Sequence, residues 1–164
     1  MIYLFLKGGG IKLSFMANLK GCFSHESDHW RTPSAMYKKY MDKGYIDPCP
    51  FHADFDGLKI DYFKKKLFIN PPYSQMKIWV DYAIRQFVGG GCKIVLLIPA
   101  RTDTQYFHKL LEYSPEIVFI KGRLRFNDSN QSAPFPSILV ILERGCKNAI
   151  SSKGNNGVWK AQSL

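Results

Sequence analysis

The run KIVLLIPA, Lys93 to Ala100, is apolar at odd and even positions alike. A half-exposed strand alternates apolar with polar residues, so this run predicts a strand in a sheet's interior, covered on both faces. Further strands are expected at LFI (67–69), EIVFI (116–120) and SILVILE (137–143). Between the first two strands, QMKIWVDYAIRQFVGGG puts Ile78, Trp79, Tyr82, Ala83 and Phe87 on one helical stripe and stops at three glycines. DTQYFHKLLEY predicts a second helix, capped by Asp103 or Thr102. Ahead of both, TPSAMYKKYMDKG predicts a helix with Thr32 as N-cap, Pro33 in the first turn and Gly44 past its end, followed by a short strand at YID. Strand and helix alternate, so the expected fold is α/β, a mostly parallel central sheet flanked by helices.

With 164 residues there is room for one domain with a real core. The expected division is an N-terminal extension over 1–23, a globular domain over 24–143 and a polar, basic C-terminal tail over 144–164. Met16 offers an alternative start. The first apolar run is too short to span a membrane and lacks the small-residue cleavage site of a signal peptide. Cys22, Cys49, Cys92 and Cys146 are scattered without a CxxC or a histidine pair, and Cys49 with His52 lacks a second pair. Neither a metal site nor a disulfide framework is expected, and a reduced cytoplasmic setting fits. The net charge is +10, of which residues 1–23 and 144–164 hold +7. That permits a nucleic-acid partner without establishing one.

In sheets of this kind ligands bind beyond the carboxyl ends of the strands. Three loops meet there: DPCPF after the first strand, NPPY after the second and PARTDT after the third. Pro71 and Pro72 cannot donate ladder hydrogen bonds, so the strand must end at Asn70. The Asn70 side-chain carbonyl and the Pro71 backbone carbonyl are then two acceptors on a stiff support, suited to an amino group with two hydrogens to donate. Tyr73 adds a ring on which a flat heterocycle can stack, worth about 1–3 kcal/mol per base. The set fits an exocyclic amine on a planar base; a plain turn is the alternative.

A strand ending in [DNS]PP[YFW] resembles the catalytic motif of S-adenosylmethionine-dependent amino-methyltransferases that act on adenine or cytosine, with the Asn form typical of adenine N6 enzymes. HWRTP, DFDGL, NPPY, IPARTDTQYFH, KGRLRF and APFPSILVI follow one another in the order seen in compact phage-type DNA N6-adenine methyltransferases. This likeness covers roughly residues 28–143. It implies a Rossmann-like methyltransferase fold over 24–143 without a separate target-recognition domain, and S-adenosylmethionine as methyl donor. It also implies adenine in double-stranded DNA as substrate and the cytoplasm of a bacterial or phage-infected host cell as setting. No membrane partner is implied, and oligomeric state stays open.

Carried over residue by residue, the resemblance has Asn70 and Pro71 bind and polarise the adenine amino group, Pro72 shape the turn and Tyr73 stack on the base after it is flipped. No strong base is needed, so His108 is expected to be an ordinary helix histidine. Asp47, with Pro48, stands where this class first contacts the cofactor, although no glycine-rich GxG follows that strand. Asp56 resembles the acid that meets the cofactor's adenine amine, and Asp54 suits its ribose; both have an ordinary alternative as loop or capping residues. Trp30, Thr32 and Pro33 match the motif beside the methionine end, with Trp30 equally suited to the core. For DNA, Arg101 and Thr102 lie on the third loop. Arg123 and Arg125 alternate with Leu124 and Phe126, which on a strand turns both arginines one way; a solvated strand face is the alternative. Phe135 is expected against the flipped base opposite Tyr73. Two rival readings are a nucleic-acid-binding module without catalysis, and the same transfer to RNA or a protein glutamine.

Overall fold

The computed structural model describes residues 30–128, 132–144, 149–154 and 157–160; the expected extension over 1–23 lies outside them. Helix α1 (Ser34–Met41) is followed by strand β1 (Lys66–Ile69), helix α2 (Met76–Val88), strand β2 (Lys93–Pro99), helix α3 (Gln105–Leu111) and strand β3 (Glu116–Ile120). Strands β4 (Ser137–Leu142), β5 (Ala149–Gly154) and β6 (Gly157–Lys160) complete one six-stranded sheet in the order β1-β2-β4-β3-β5-β6.

The expected mostly parallel sheet is overturned: the sheet is mixed. β1 pairs parallel to β2, and β3 to β5, whereas β4 runs antiparallel to both its neighbours and β6 antiparallel to β5. The reason lies between Ile120 and Ser137, where among the described residues no α-helix crosses the sheet face. A parallel return needs such a crossover; an antiparallel one does not. β4 therefore comes back between β2 and β3. The segment expected as a C-terminal tail supplies β5, which satisfies the otherwise open edge of β3, and β6, which pairs with β5.

Both faces of the inner strands are buried, as their composition requires. Leu67, Ile69, Ile94, Leu96 and Ile98 pack beneath α2 and α3, with Trp79, Val80, Ala83, Phe107 and Leu110. Phe68, Val95, Leu97 and Leu139 face the other way, beneath α1 and the 121–136 segment, where Tyr40 stacks on Phe68 at 4.4 Å. The α2 stripe differs in one member: Trp79, Tyr82 and Ala83 are buried, but Ile78 is 55% exposed and Val80 and Ile84 take up the core contact. Among the described residues no helix is long and apolar enough to cross a membrane.

Local ends also differ from expectation. Pro33, not Thr32, occupies the N-cap position of α1, and Thr104 that of α3, each without a side-chain cap. Thr32 is buried instead. YID is not a full strand but a single parallel bridge, Ile46 to Leu67. Arg123 and Arg125 lie on no strand; they are exposed while Leu124 and Phe126 turn inward, so the alternation holds on an irregular segment.

One close approach fixes the loop that follows Ile46. A Cβ at Gly57 would stand 1.7 Å from the Pro48 carbonyl oxygen and 3.3 Å from the Trp79 ring. Gly57→Ala is expected to force these backbones apart, lower stability by about 1–3 kcal/mol and reshape the loop. Thermal denaturation would register this as a clear drop in Tm; an unchanged Tm would mean the two segments are not in firm contact.

Candidate active site

Ile46, β1 and β2 run parallel, so the segments that follow them leave from the same edge of the sheet. β4 runs the other way and begins there, with Ser137 opposite Pro99 and the Ala100 N–H donating to the Pro136 carbonyl at 2.9 Å. A cavity of about 560 Å³ opens at this edge, within the span of roughly 300–1,000 Å³ usual for small-molecule sites. Trp30, Thr32, Asp47, Asn70 and Pro72 all line it.

Asn70 follows the last residue of β1, where Pro71 and Pro72 end the ladder. Its side-chain amide nitrogen donates to the Trp30 carbonyl at 2.6 Å. That bond sets the amide's orientation, since only the nitrogen can donate. The other end, Oδ1, is buried without a hydrogen-bond partner, as is the Tyr73 hydroxyl. Buried polar atoms are nearly always paired. Two exceptions within one tetrapeptide make a concentrated, preformed acceptor site.

Asp47 is the second polar feature. Its carboxylate accepts from the Cys49 backbone N–H at 2.8 Å. Burial raises its pKa to about 6, against the lowering effect of that hydrogen bond. Its charge also helps raise the nearby Tyr37 phenol, although burial contributes more there. Burial first, and Asp47 second, push the Cys49 thiol to about 12, so it stays neutral at ordinary pH. A half-buried carboxylate with one N–H donor suits a ligand that brings positive charge or N–H donors. Among the described residues no group of three or more His, Cys, Asp or Glu could hold a metal.

Aromatic rings wall the site beside Asn70. Trp30 and Tyr73 stack at 6.3 Å with an interplanar angle of 22°, and Phe135 meets Tyr73 edge-on at 5.1 Å. Trp30 also meets Phe126 and Phe135 edge-on, at 5.4 and 5.8 Å. Trp30 is thus a half-buried ring that packs on the core and lines the cavity, and its carbonyl positions Asn70. Burial raises the Tyr73 phenol, opposed by the Arg101 cation.

Other expected site residues lie outside the cavity wall. Pro33 is half-buried in the α1 N-cap position, while Pro48 and Pro71 are buried. Asp54 and Asp56 are exposed; Asp56 caps its own turn through the Leu58 N–H at 3.1 Å and pairs with Lys59 at 3.4 Å. Thr102, Arg123 and Arg125 are exposed. The sequence reading missed Arg31, Tyr37, Phe51 and His52, which also line the cavity. Arg31 lies 4.8 Å over the Phe51 ring, and its backbone exchanges two hydrogen bonds with Asn127, at 2.7 and 2.9 Å. The available signal was adjacency: each follows closely on a residue of the HWRTP or DPCPF blocks.

No curated protein and no solved structure matches the chain. The family model for DNA N-6-adenine-methyltransferase (Dam) matches residues 22–157. That span takes in every residue of the cavity wall and strands β1 to β5, and the chain accordingly belongs to the DNA N-6-adenine-methyltransferase family.

Proposed function

We propose that this chain transfers a methyl group from S-adenosylmethionine to the N6 amino group of an adenine flipped out of double-stranded DNA. It does so on a compact, phage-type, Rossmann-like core. The observation that carries this reading is the Asn70 side chain, held by the Trp30 carbonyl at 2.6 Å with its own oxygen buried and unpartnered. An acceptor kept dry and fixed is preorganised for an N–H donor that arrives from outside.

Asn70 Oδ1 and the Pro71 carbonyl accept the two hydrogens of the adenine amine and draw its lone pair out of conjugation with the ring. Pro72 holds the turn, and the amine's proton leaves after transfer, so no general base is required. When bound, the cofactor supplies an electrophilic methyl group on a sulfonium centre. Asp47, with Trp30 and Thr32, holds it; the half-buried carboxylate and the cavity volume fit a ligand of that size that bears an ammonium and a sulfonium. Asp54 and Asp56 reach the cofactor only if their loop folds inward, because Asp56 is engaged with Leu58 and Lys59.

Tyr73 supports the flipped base. Its ring touches Phe135 in the structure, so a base stacking on that side displaces Phe135. Arg101, Thr102, Arg123 and Arg125 meet phosphates around the opening. The test is incubation with double-stranded DNA and methyl-labelled S-adenosylmethionine, followed by nucleoside analysis. Label on N6-methyladenine is expected. Label on RNA or protein glutamine, or DNA binding with no transfer at all, would overturn the reading.

A further inference from the structure

The loop edge of the sheet accounts for Arg101, Arg123 and Arg125 but not for the cations at the opposite edge, where β1 and β2 begin. Phe63, Lys64, Lys65 and Lys66 are consecutive and all exposed, Phe63 by 66%. Two other segments are tied to them. The Lys64 N–H donates to the Gly90 carbonyl at 2.8 Å, and the Arg144 guanidinium to the Val88 carbonyl at 3.1 Å. Lys64 and Arg144 therefore grip the same turn. The Lys66 ammonium reaches the Lys43 carbonyl at 3.4 Å, which adds the end of α1.

Asp42 and Glu143 are the acids on these segments, and Glu143 is paired with Lys93. Among the described residues no carboxylate lies within 4.0 Å of Lys43, Lys64, Lys65, Lys66 or Arg144. Two of the ammonium groups rest on aromatic rings instead, Lys64 on Phe63 at 5.1 Å and Lys66 on Tyr45 at 5.9 Å. Exposed cations interleaved with an exposed aromatic ring have the chemistry of a nucleic-acid surface.

We propose that this edge binds the phosphate backbone of a second DNA segment while the loop edge holds the target base. β2 separates the two edges; its 7 residues span about 20 Å at ~3.3 Å per residue. A straight duplex docked on the loops leaves the lysine edge uncovered, and a second duplex offers it one charge per ~1.7 Å of axis. The protein then bridges two segments and passes from one to the other without full release.

The experiment counts short duplexes per protein by sedimentation and asks whether an immobilised duplex captures a fluorescent one through the protein. No cofactor is added, so the outcome is independent of methyl transfer. Wild type should carry two duplexes and bridge them. Lys43→Gln/Lys64→Gln/Lys65→Gln should carry one, keep its thermal melt and keep its methylation rate on short duplexes. In the single variants Lys43→Gln, Lys64→Gln and Lys65→Gln the salt slope of the second binding event should fall by about 0.9 where that lysine meets a phosphate. A single duplex on wild type, or undiminished bridging by the triple variant, would overturn the proposal. So would capture of polyglutamate at this edge without a second duplex, which would assign it to an acidic protein.

Discussion

Asn70→Ala is expected to slow single-turnover methylation of adenine-containing DNA by about 10²–10³-fold, the usual effect of removing one preorganised polar group from a transition state. Circular dichroism and most of the cofactor affinity should be kept, because the acceptor being removed has no partner within the fold. The Trp30 carbonyl loses its 2.6 Å donor in the same step, a modest stability cost of about 1 kcal/mol. Tyr73→Phe is the informative contrast. It keeps the ring and removes a hydroxyl that is buried without a partner, so activity should survive and stability should hold or rise. A wild-type rate in folded Asn70→Ala would reduce NPPY to a turn, and the proposed reaction would fall with it.

Asp47→Asn should have two effects of opposite sign. The carboxyl pKa is 3.8 in its unperturbed state and about 6 in the fold, chiefly through burial. The folded protein therefore holds this proton more tightly than the unfolded chain does. Stability falls as pH rises from about 4 to about 6, and the full cost of the buried charge persists above that window. Each pH unit between the two values corresponds to about 1.4 kcal/mol, so asparagine relieves a cost of up to about 3 kcal/mol at neutral pH. Melts at pH 7.5 should show a Tm several degrees above wild type, with the gain gone near pH 4. Calorimetric titration should show S-adenosylmethionine affinity reduced tenfold or more, since a charge-assisted contact is lost. Wild-type affinity in Asp47→Asn would remove Asp47 from the cofactor site.

Much of this site was legible because its elements end on residues with few choices. Pro71 and Pro72 can only end a strand, so Asn70 had to stand at the mouth of the sheet, and it does. The strand directions were less legible. Apolar runs at 94–98 and 138–142 predict buried strands but say nothing of their sense. Only the lack of a helical pattern between Ile120 and Ser137 hinted that β4 would return antiparallel. Arg123 and Arg125 kept their alternation with Leu124 and Phe126 without a strand. Ile78 failed for a geometric reason. It lies about 100° from Trp79 around the helix, at the margin of the stripe, and the buried face turned toward Val80 instead. The lysine edge was hidden by counting: the net charge of residues 24–143 is small, yet the fold gathers Lys43, Lys64, Lys65 and Lys66 on one side, with Arg144 beside them.

The reversed strand has a consequence for how the chain reaches its folded state. β2 and β3 never pair with each other; β4 stands between them, and it is made after both. Until residues 137–142 have left the ribosome, both strands present unpaired edges rich in isoleucine, valine and leucine. Such edges are templates for pairing with other chains. A nascent chain halted between Ile120 and Ser137 would thus be at its most adhesive, and the arrival of six residues closes two edges at once. Premature termination in this interval is therefore more hazardous to the cell than loss of a longer piece that also removes β3, because the longer deletion takes β3 and its open edges with it.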